Sequence, residues 1–264
     1  ELIGRNSYTN FYCEWNFKNS RRFEYFETYI VPAIADKITY EVPVESINYS
    51  SDQIILESAN RQWIADKVIL TVSLNILRDE VIQFQPAFPS AKLTALEDVP
   101  MPDGIKVFIE FAEQFYPELT FMGGLGEILN APNGDRIYYD AAFRKDSDRN
   151  VLGLFTVGAN ATPYAEMETE EALIEYVMEE LDMIFDGQAS QHYLQHVVQN
   201  WSKEPFIRGS YSHYEDYAAK EILTEPIEKK IYFAGEAYAP SDSSTVHGAG
   251  RSAYKAVERI LNEL

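Results

Sequence analysis

The sequence predicts an α/β fold of the α+β kind, a mixed β-sheet covered by helices, and three observations carry that reading. Apolar runs of strand length succeed one another between Gly104 and Gly158, with turn chemistry between them. The stretch Glu168–Phe185 places its apolar residues at helical spacing. Near the C-terminus an apolar run, Ile231–Ala234, leads through a loop into a small-residue segment, His247–Ile260, again with helical spacing. At 264 residues, 46% of them hydrophobic, the chain can hold one large or two small domains around a real core.

Taken in order, residues 1–22 carry little regular pattern, yet Tyr8, Phe11, Tyr12, Trp15 and Phe17 are too aromatic for a disordered tail and are expected to pack. Phe23–Ala35 reads as a helix kinked or restarted at Pro32, which lacks an N–H for the helical ladder. Lys37–Tyr40, Val42–Asn48 and Gln53–Glu57 read as short strands, with Ser50-Ser-Asp52 as the turn between the last two. Ala65–Val72 reads as one continuous buried strand. Strands follow at Gly104–Ala112, Thr120–Ile128, Arg136–Phe143 and Val151–Gly158, and Asn133-Gly-Asp135 is a hairpin turn. Acidic residues crowd the first turns of Glu168–Phe185, where the helix dipole favours them, and Gln191–Trp201 reads as another strand. No internal repeat or low-complexity segment interrupts the chain.

Composition narrows the function classes. A net charge of −20 argues against nucleic acid and anionic membrane as partners, since both need basic patches. No run of 18 apolar residues offers a transmembrane helix, and the N-terminus lacks the features of a signal peptide. The single cysteine, Cys13, excludes an internal disulfide and leans toward a reducing, cytoplasmic setting.

The C-terminal strand–loop–helix carries the strongest chemistry. Ser243, Ser244 or Thr245 can cap the last helix, leaving the N–H groups of Val246–Ala249 unpaired at the positive end of the helix dipole. Small residues at Gly248, Ala249, Gly250, Ser252 and Ala253 admit a flat ligand or a neighbouring backbone. The string Phe233-Ala-Gly-Glu236, followed by Thr245-Val-His-Gly-Ala249 and a small-residue helix, resembles the C-terminal flavin-binding signature of the flavin-containing amine oxidase family. That family includes monoamine and polyamine oxidases, L-amino acid oxidases and histone lysine demethylases.

The resemblance extends upstream. Leu74–Pro100 is similar to the segment that crosses between the family's two domains, with Ser73 standing where the family usually has proline. It implies three regions: residues 1–72 as part of an FAD-binding domain, with a helix and a β-meander, 73–199 as a substrate-binding domain, and 200–264 as the return to the FAD-binding domain. The implied activity is oxidative deamination of a small-molecule amine, with hydride transfer from an amine C–H to FAD and O2 reduced to H2O2. Lys106 matches the family lysine that holds a water at flavin N5, and Tyr211 matches one wall of the aromatic cage that orients the amine. The opposing wall is often aromatic in the family, whereas this chain has Thr245. Trp201 opens the segment, continuing to Ser212, that passes along the flavin face. Ser210 takes the place of the cysteine that tethers FAD in monoamine oxidases, so the resemblance implies non-covalent FAD. Glu236 falls by the ribityl and pyrophosphate groups, Thr245 and Val246 face the N1/C2=O2 edge, and the Val44 backbone meets the adenine ring.

One part of the signature is missing. No strand, G-x-G-x-x-G turn and helix opens the chain, and the dense glycine cluster Gly123-Gly-Leu-Gly126 sits inside a strand pattern with no helix after it. The chain therefore reads as a fragment lacking the dinucleotide-binding half, or as one whose partner chain supplies it, with FAD binding weak or absent on its own. Two other readings stand beside the amine oxidase: a non-amine FAD oxidoreductase of the desaturase or protoporphyrinogen oxidase type, and a catalytically silent binding module of the same fold. Other constellations fail. His192 and His196 have H-x-x-x-H spacing but alternate as in a strand, without a third ligand, so no metal is expected. Ser212, His213 and Asp216 are adjacent in sequence, unlike a hydrolase triad.

Overall fold

The structure, a computed structural model, describes residues 2–6, 13–17, 19–122, 136–213, 217–239 and 241–263. The packing of the N-terminal aromatics, the Gly123–Gly126 cluster, the Asn133–Asp135 turn and the second half of the Thr120–Ile128 strand lie outside the described residues.

β1 (Leu2–Asn6) and β2 (Cys13–Phe17) pair antiparallel. The helix expected at Phe23–Ala35 is present in pieces: α1 (Arg22–Tyr25), a π-helical turn (Phe26–Ile30), α2 (Val31–Ile34) and a 3-10 turn (Ala35–Lys37). The wide turn precedes Pro32, which has no N–H to return to the Thr28 carbonyl. None of these residues is buried, and Tyr29 is 68% exposed.

The strand expected at Lys37–Tyr40 is not formed, because the 3-10 turn takes Lys37 and no ladder partner meets the residues after it. Val42–Asn48 contracts to β3 (Ser46–Asn48), Pro43 having no N–H to donate. β4 (Ile54–Ser58) pairs antiparallel with β3 across the expected turn, where Asn48 Oδ1 accepts from the Ser50 N–H at 3.0 Å. Ala65–Val72 is two strands rather than one: Ala65 ends β5 (Arg61–Ala65), the chain turns at Asp66-Lys67, and β6 (Val68–Leu70) joins a different sheet. α3 (Leu74–Arg78) starts at Ser73, whose Oγ accepts from the Asn75 N–H at 3.3 Å, so the serine at the family's proline position serves as an N-cap. β7 (Gln83–Gln85), parallel to β3, completes a sheet ordered β5-β4-β3-β7, and α4 (Ser90–Asp98) follows.

The next region holds β8 (Gly104–Phe111), β9 (Leu119–Met122), β10 (Arg136–Asp140) and β11 (Asn150–Val157), then α5 (Thr162–Ala165), α6 (Glu170–Ile184), α7 (Gln188–His192) and β12 (Tyr193–Asn200). The sheet order is β12-β8-β11-β10-β9, antiparallel at every pairing, where a mixed sheet is expected; parallel pairs occur in the other sheets. Gln191 and His192 belong to α7, so the strand expected from Gln191 begins at Tyr193. Side chains alternate along β8: Ile105, Val107, Ile109 and Phe111 are buried in one core with Leu173, Val177 and Leu181 of α6, while Lys106, Phe108 and Glu110 line the open face.

α8 (Tyr217–Thr224), β13 (Ile231–Phe233) and α9 (Val246–Asn262) end the chain; the first has no counterpart in the sequence reading. β13 pairs parallel with β6. A second core joins Ile47, Leu74, Leu96, Leu223 and Ile231, bringing the β-meander together with the C-terminal segment. Buried Lys92 links α4 to the end of α8, its Nζ donating to the carbonyls of Ile222 and Leu223 at 2.8 Å and of Glu225 at 2.6 Å, at the negative end of the helix. No helix among the described residues is long and apolar enough to cross a membrane.

Two ionic networks brace the antiparallel sheet. Buried Glu180 of α6 accepts from the Tyr138 and Tyr164 hydroxyls at 2.6 Å each and from the Arg136 guanidinium. Glu180→Ala removes the acceptor these three donors share, leaving Arg136 only the Tyr164 hydroxyl at 3.3 Å, and is expected to lower unfolding stability by about 3 kcal/mol in urea denaturation. Glu110 receives Arg149 and Gln195, tying β8 to the start of β11 and to β12, and these hydrogen bonds hold its carboxyl at about 2. Its stabilising contribution is full above the ordinary carboxylate value of 4.5 and is lost as pH falls through about 2. Glu110→Gln is expected to flatten the stability–pH profile over that window; an unchanged acid limb would contradict this role.

Candidate active site

Lys106 stands on the open face of β8, across from Phe155 of β11 on one side and Gln199 of β12 on the other. Its Nζ lies 5.5 Å from the centre of the Phe155 ring, within cation–π reach. β12 ends in a loop that folds back on the start of β8. The Trp201 N–H donates to the Gly104 carbonyl at 3.1 Å, and the Ser210 N–H and Oγ both donate to the Pro102 carbonyl, at 2.8 and 2.9 Å. The approach is so close that a Cβ on Gly104 would lie 2.5 Å from Ser210 Cβ, so only glycine fits there.

Between sheet and loop lies a cavity of about 320 Å³. Gly104, Ile105 and Lys106 of β8 and Phe155 and Val157 of β11 form its floor. Trp201, Ile207, Ser210 and Tyr211 of the loop form its wall. Four predicted residues, Lys106, Trp201, Ser210 and Tyr211, thus share one chamber although up to 105 positions separate them.

Glu236 holds the next piece in place. Its carboxylate accepts from the Ser212 N–H at 2.8 Å, from Ser212 Oγ at 2.7 Å and from the Ser244 N–H at 2.6 Å. One glutamate therefore ties the residue after Tyr211 to the residue before the α9 cap. Burial raises the Tyr211 hydroxyl pKa, and the Glu236 charge adds to the shift. Buried Lys220 of α8 is lowered to about 8 by burial, with the Glu236 carboxylate opposing the shift.

Thr245 is the N-cap of α9, as one of three candidates in the sequence; its Oγ1 accepts from the Gly248 N–H at 3.0 Å and donates to the Asp242 carbonyl at 2.5 Å. A Cβ at Gly248 would come within 2.0 Å of that carbonyl, so glycine is required in this first turn too. Of the four N–H groups expected to be unpaired, two are not, because Thr245 takes that of Gly248 with its Oγ1 and that of Ala249 with its carbonyl at 3.1 Å; Val246 is half-exposed, and a Cβ at Gly250 in the next turn would meet no atom within 4 Å. An open, capped helix N-terminus beside an apolar cavity suits a flat cofactor that gains negative charge at one edge, and in this respect the residues present fit a flavin.

Glu236, Thr245 and Val246 form a cluster joined to the cavity through Ser212 but outside its lining. Val44 stands apart, partly buried against the core that holds Ile47 and Ile231. Ile105, Phe155, Val157 and Ile207 line the cavity without having been singled out in the sequence; for Phe155 the cross-strand register with Lys106 is the signal, and for Ile207 there is none. The histidines serve local packing: His192 stacks on Phe115 with ring centres 6.0 Å apart, and His196 Nδ1 meets the Tyr193 hydroxyl at 2.6 Å. Among the described residues no group of three His, Cys, Asp or Glu side chains is placed to hold a metal. Asp216, considered with Ser212 and His213, lies outside the described residues.

Comparison with known proteins identifies the family. The family model for flavin containing amine oxidoreductase matches residues 15–261. Polyamine oxidase 5 of Oryza sativa subsp. japonica is 28% identical over 207 residues, which cover 76% of this chain and 40% of the rice protein. Histone demethylase-like protein A of Aspergillus fumigatus is 28% identical over 243 residues, covering 87% of this chain and 22% of that protein. Among solved structures, cyclohexylamine oxidase from Brevibacterium oxydans superposes with a TM-score of 0.65 at 20% identity, and a cofactor-binding redesign of putrescine oxidase with 0.71 at 18%. Each structural match covers 89% of this chain and 51% of the other, so the chain spans about half the length of these proteins and share their fold over that half. The chain belongs to the flavin-containing amine oxidoreductase family.

Proposed function

We propose that this chain supplies the amine-facing part of an FAD-dependent amine oxidase. The observation that carries the reading is the convergence of Lys106, Trp201, Ser210 and Tyr211 on one apolar cavity. A bound FAD would supply the redox chemistry, taking a hydride from the amine C–H and passing two electrons to O2 to give H2O2. The chain's own residues position and exclude. The Tyr211 ring orients the amine by presenting its π-face to nitrogen. Lys106 holds a water for proton transfer, and its charge favours the neutral amine, the form able to release a hydride. Trp201, Ser210, Thr245 and Val246 would hold the flavin, and the Val44 backbone would meet its adenine. Glu236 has spent three of its roughly four lone-pair positions on Ser212 and Ser244, so its main work is to set the geometry of the loop.

The names of the relatives, oxidases of polyamines, cyclohexylamine and putrescine and a histone demethylase, support an amine over the non-amine substrates of desaturases. The complete activity requires the dinucleotide-binding half, whether from a longer form of this chain or from a partner. Two outcomes follow. The 264-residue chain purified alone is expected to bind FAD weakly or not at all, by absorbance and filtration, and tight stoichiometric FAD would contradict the shared-site reading. With that half co-expressed, amine-dependent H2O2 production is expected, and Lys106→Met should lower kcat by about 100-fold while FAD content is unchanged. A yellow protein that oxidises no amine would favour the silent binding module.

A further inference from the structure

Met101 stands just before β8, half-buried against the core that holds Leu74 and Leu96. Its sulfur accepts from the Ser73 hydroxyl and from the Leu74 N–H, both at 3.3 Å, at the start of α3. A thioether is a weak acceptor, and here it faces two donors at a helix N-terminus. The Ser73 contact is a feature of this chain, since the proline usual in the family at that position carries no hydroxyl. The same turn holds the cavity wall. Asn75, whose N–H is capped by Ser73 Oγ, donates through Nδ2 to the Met101 carbonyl at 3.0 Å and also to the Arg208 carbonyl in the closing loop. A Cβ on Gly209 would lie 2.7 Å from Asn75 Nδ2 and 2.9 Å from the Met101 carbonyl oxygen, so loop, turn and Met101 leave one another no slack. The next residue, Ser210, is bonded to the Pro102 carbonyl and lines the cavity.

We propose that Met101 is a site of oxidation by hydrogen peroxide, and that its sulfoxide loosens the loop carrying Trp201 to Tyr211. A sulfur lone pair attacks one peroxide oxygen, and an S–O bond forms as the O–O bond breaks. Sulfur gives up two electrons, and the other oxygen leaves as hydroxide and takes the proton of the first to become water. The product is polar where the thioether was apolar, and its oxygen stands between the sulfur and the two donors. Either the sulfur draws back from α3 or the Ser73 cap opens, and both displace Asn75, which holds the loop at Arg208. The source of the peroxide rests on the amine-oxidase reading, in which H2O2 forms in the cavity this loop closes; a product of the reaction would then slow the enzyme that makes it.

The test treats the purified 264-residue chain with added H2O2, so its outcome is independent of the amine-oxidase reading. Peptide mass mapping is expected to find one added oxygen on Met101, and the Asn75 and Ser210 amides are expected to exchange about tenfold faster while those of β10 and β11 are unchanged. Methionine sulfoxide reductase should restore the slow exchange. Met101→Leu keeps the apolar bulk without the sulfur, and its two amides should exchange slowly with or without peroxide. Met167 and Met178, partly buried in the other core, and Met183, 81% exposed, report general oxidation. Met101 left intact by peroxide that converts those three would overturn the proposal. So would a Met101 sulfoxide with unchanged exchange, or equal acceleration in peroxide-treated Met101→Leu. Failure of the co-expressed enzyme to make H2O2 from any amine would count against the amine-oxidase reading alone.

Discussion

The arrangement depends on the carboxylate of Glu236. Three segments far apart in sequence must meet for the site to exist: the β8 strand with Lys106, the loop that carries Trp201 to Tyr211, and the start of α9. The loop is fixed to β8 by backbone contacts at Pro102 and Gly104, and to the helix by the Glu236 hydrogen bonds to Ser212 and Ser244, joined by Ser244 Oγ donating to the Ser212 carbonyl at 2.7 Å. Hydrogen bonds to an ionised acceptor are stronger than neutral ones, and several from separate segments to one carboxylate hold them in a single geometry. The FAGE motif thus has a use inside the chain that precedes any contact with a ligand.

The antiparallel sheet supplies the other half of the geometry. Alternation along β8 sends its aliphatic residues into the core against α6 and leaves Lys106 on the opposite face, where the cross-strand neighbour Phe155 fixes its surroundings. Because Gly104 has no side chain, the loop can lie directly on the strand and close the cavity from above. Glu110 and Glu180 brace the same sheet from its two faces, so the floor of the site is rigid where the wall is a loop.

Much of this is legible in the sequence, and the failures have physical causes. Alternation on β8 and capping at Thr245 are local, and both are found where the residue pattern places them. The division of Ala65–Val72 between two sheets is not local: Asp66-Lys67 turns because β6 has a parallel partner, β13, more than a hundred residues away. The strand expected at Lys37–Tyr40 fails for the same kind of reason, since β-rich residues without a partner do not form a ladder. α8 escapes notice because its helical signal is short and its place is set by Lys92 reaching across from α4. In the site, chemistry-bearing residues stand out in the sequence through their resemblance to a family motif, whereas Phe155 and Ile207 are ordinary apolar residues whose role arises only from register and loop path.

On the proposed function, the Lys106 cation, Tyr211 and the apolar cavity, joined through Ser212 and Glu236 to the start of α9, would orient an amine against the flavin. The measurement that tests this account most directly is native-state hydrogen exchange at the Ser212 and Ser244 amides, in the parent chain and in Glu236→Ala. The account predicts that both amides are protected in the parent chain and lose protection together in the variant, while the amides of β8 and β11 keep theirs. Rapid exchange at either amide in the parent chain, or a variant in which the two respond independently, would contradict the claim that Glu236 assembles the site.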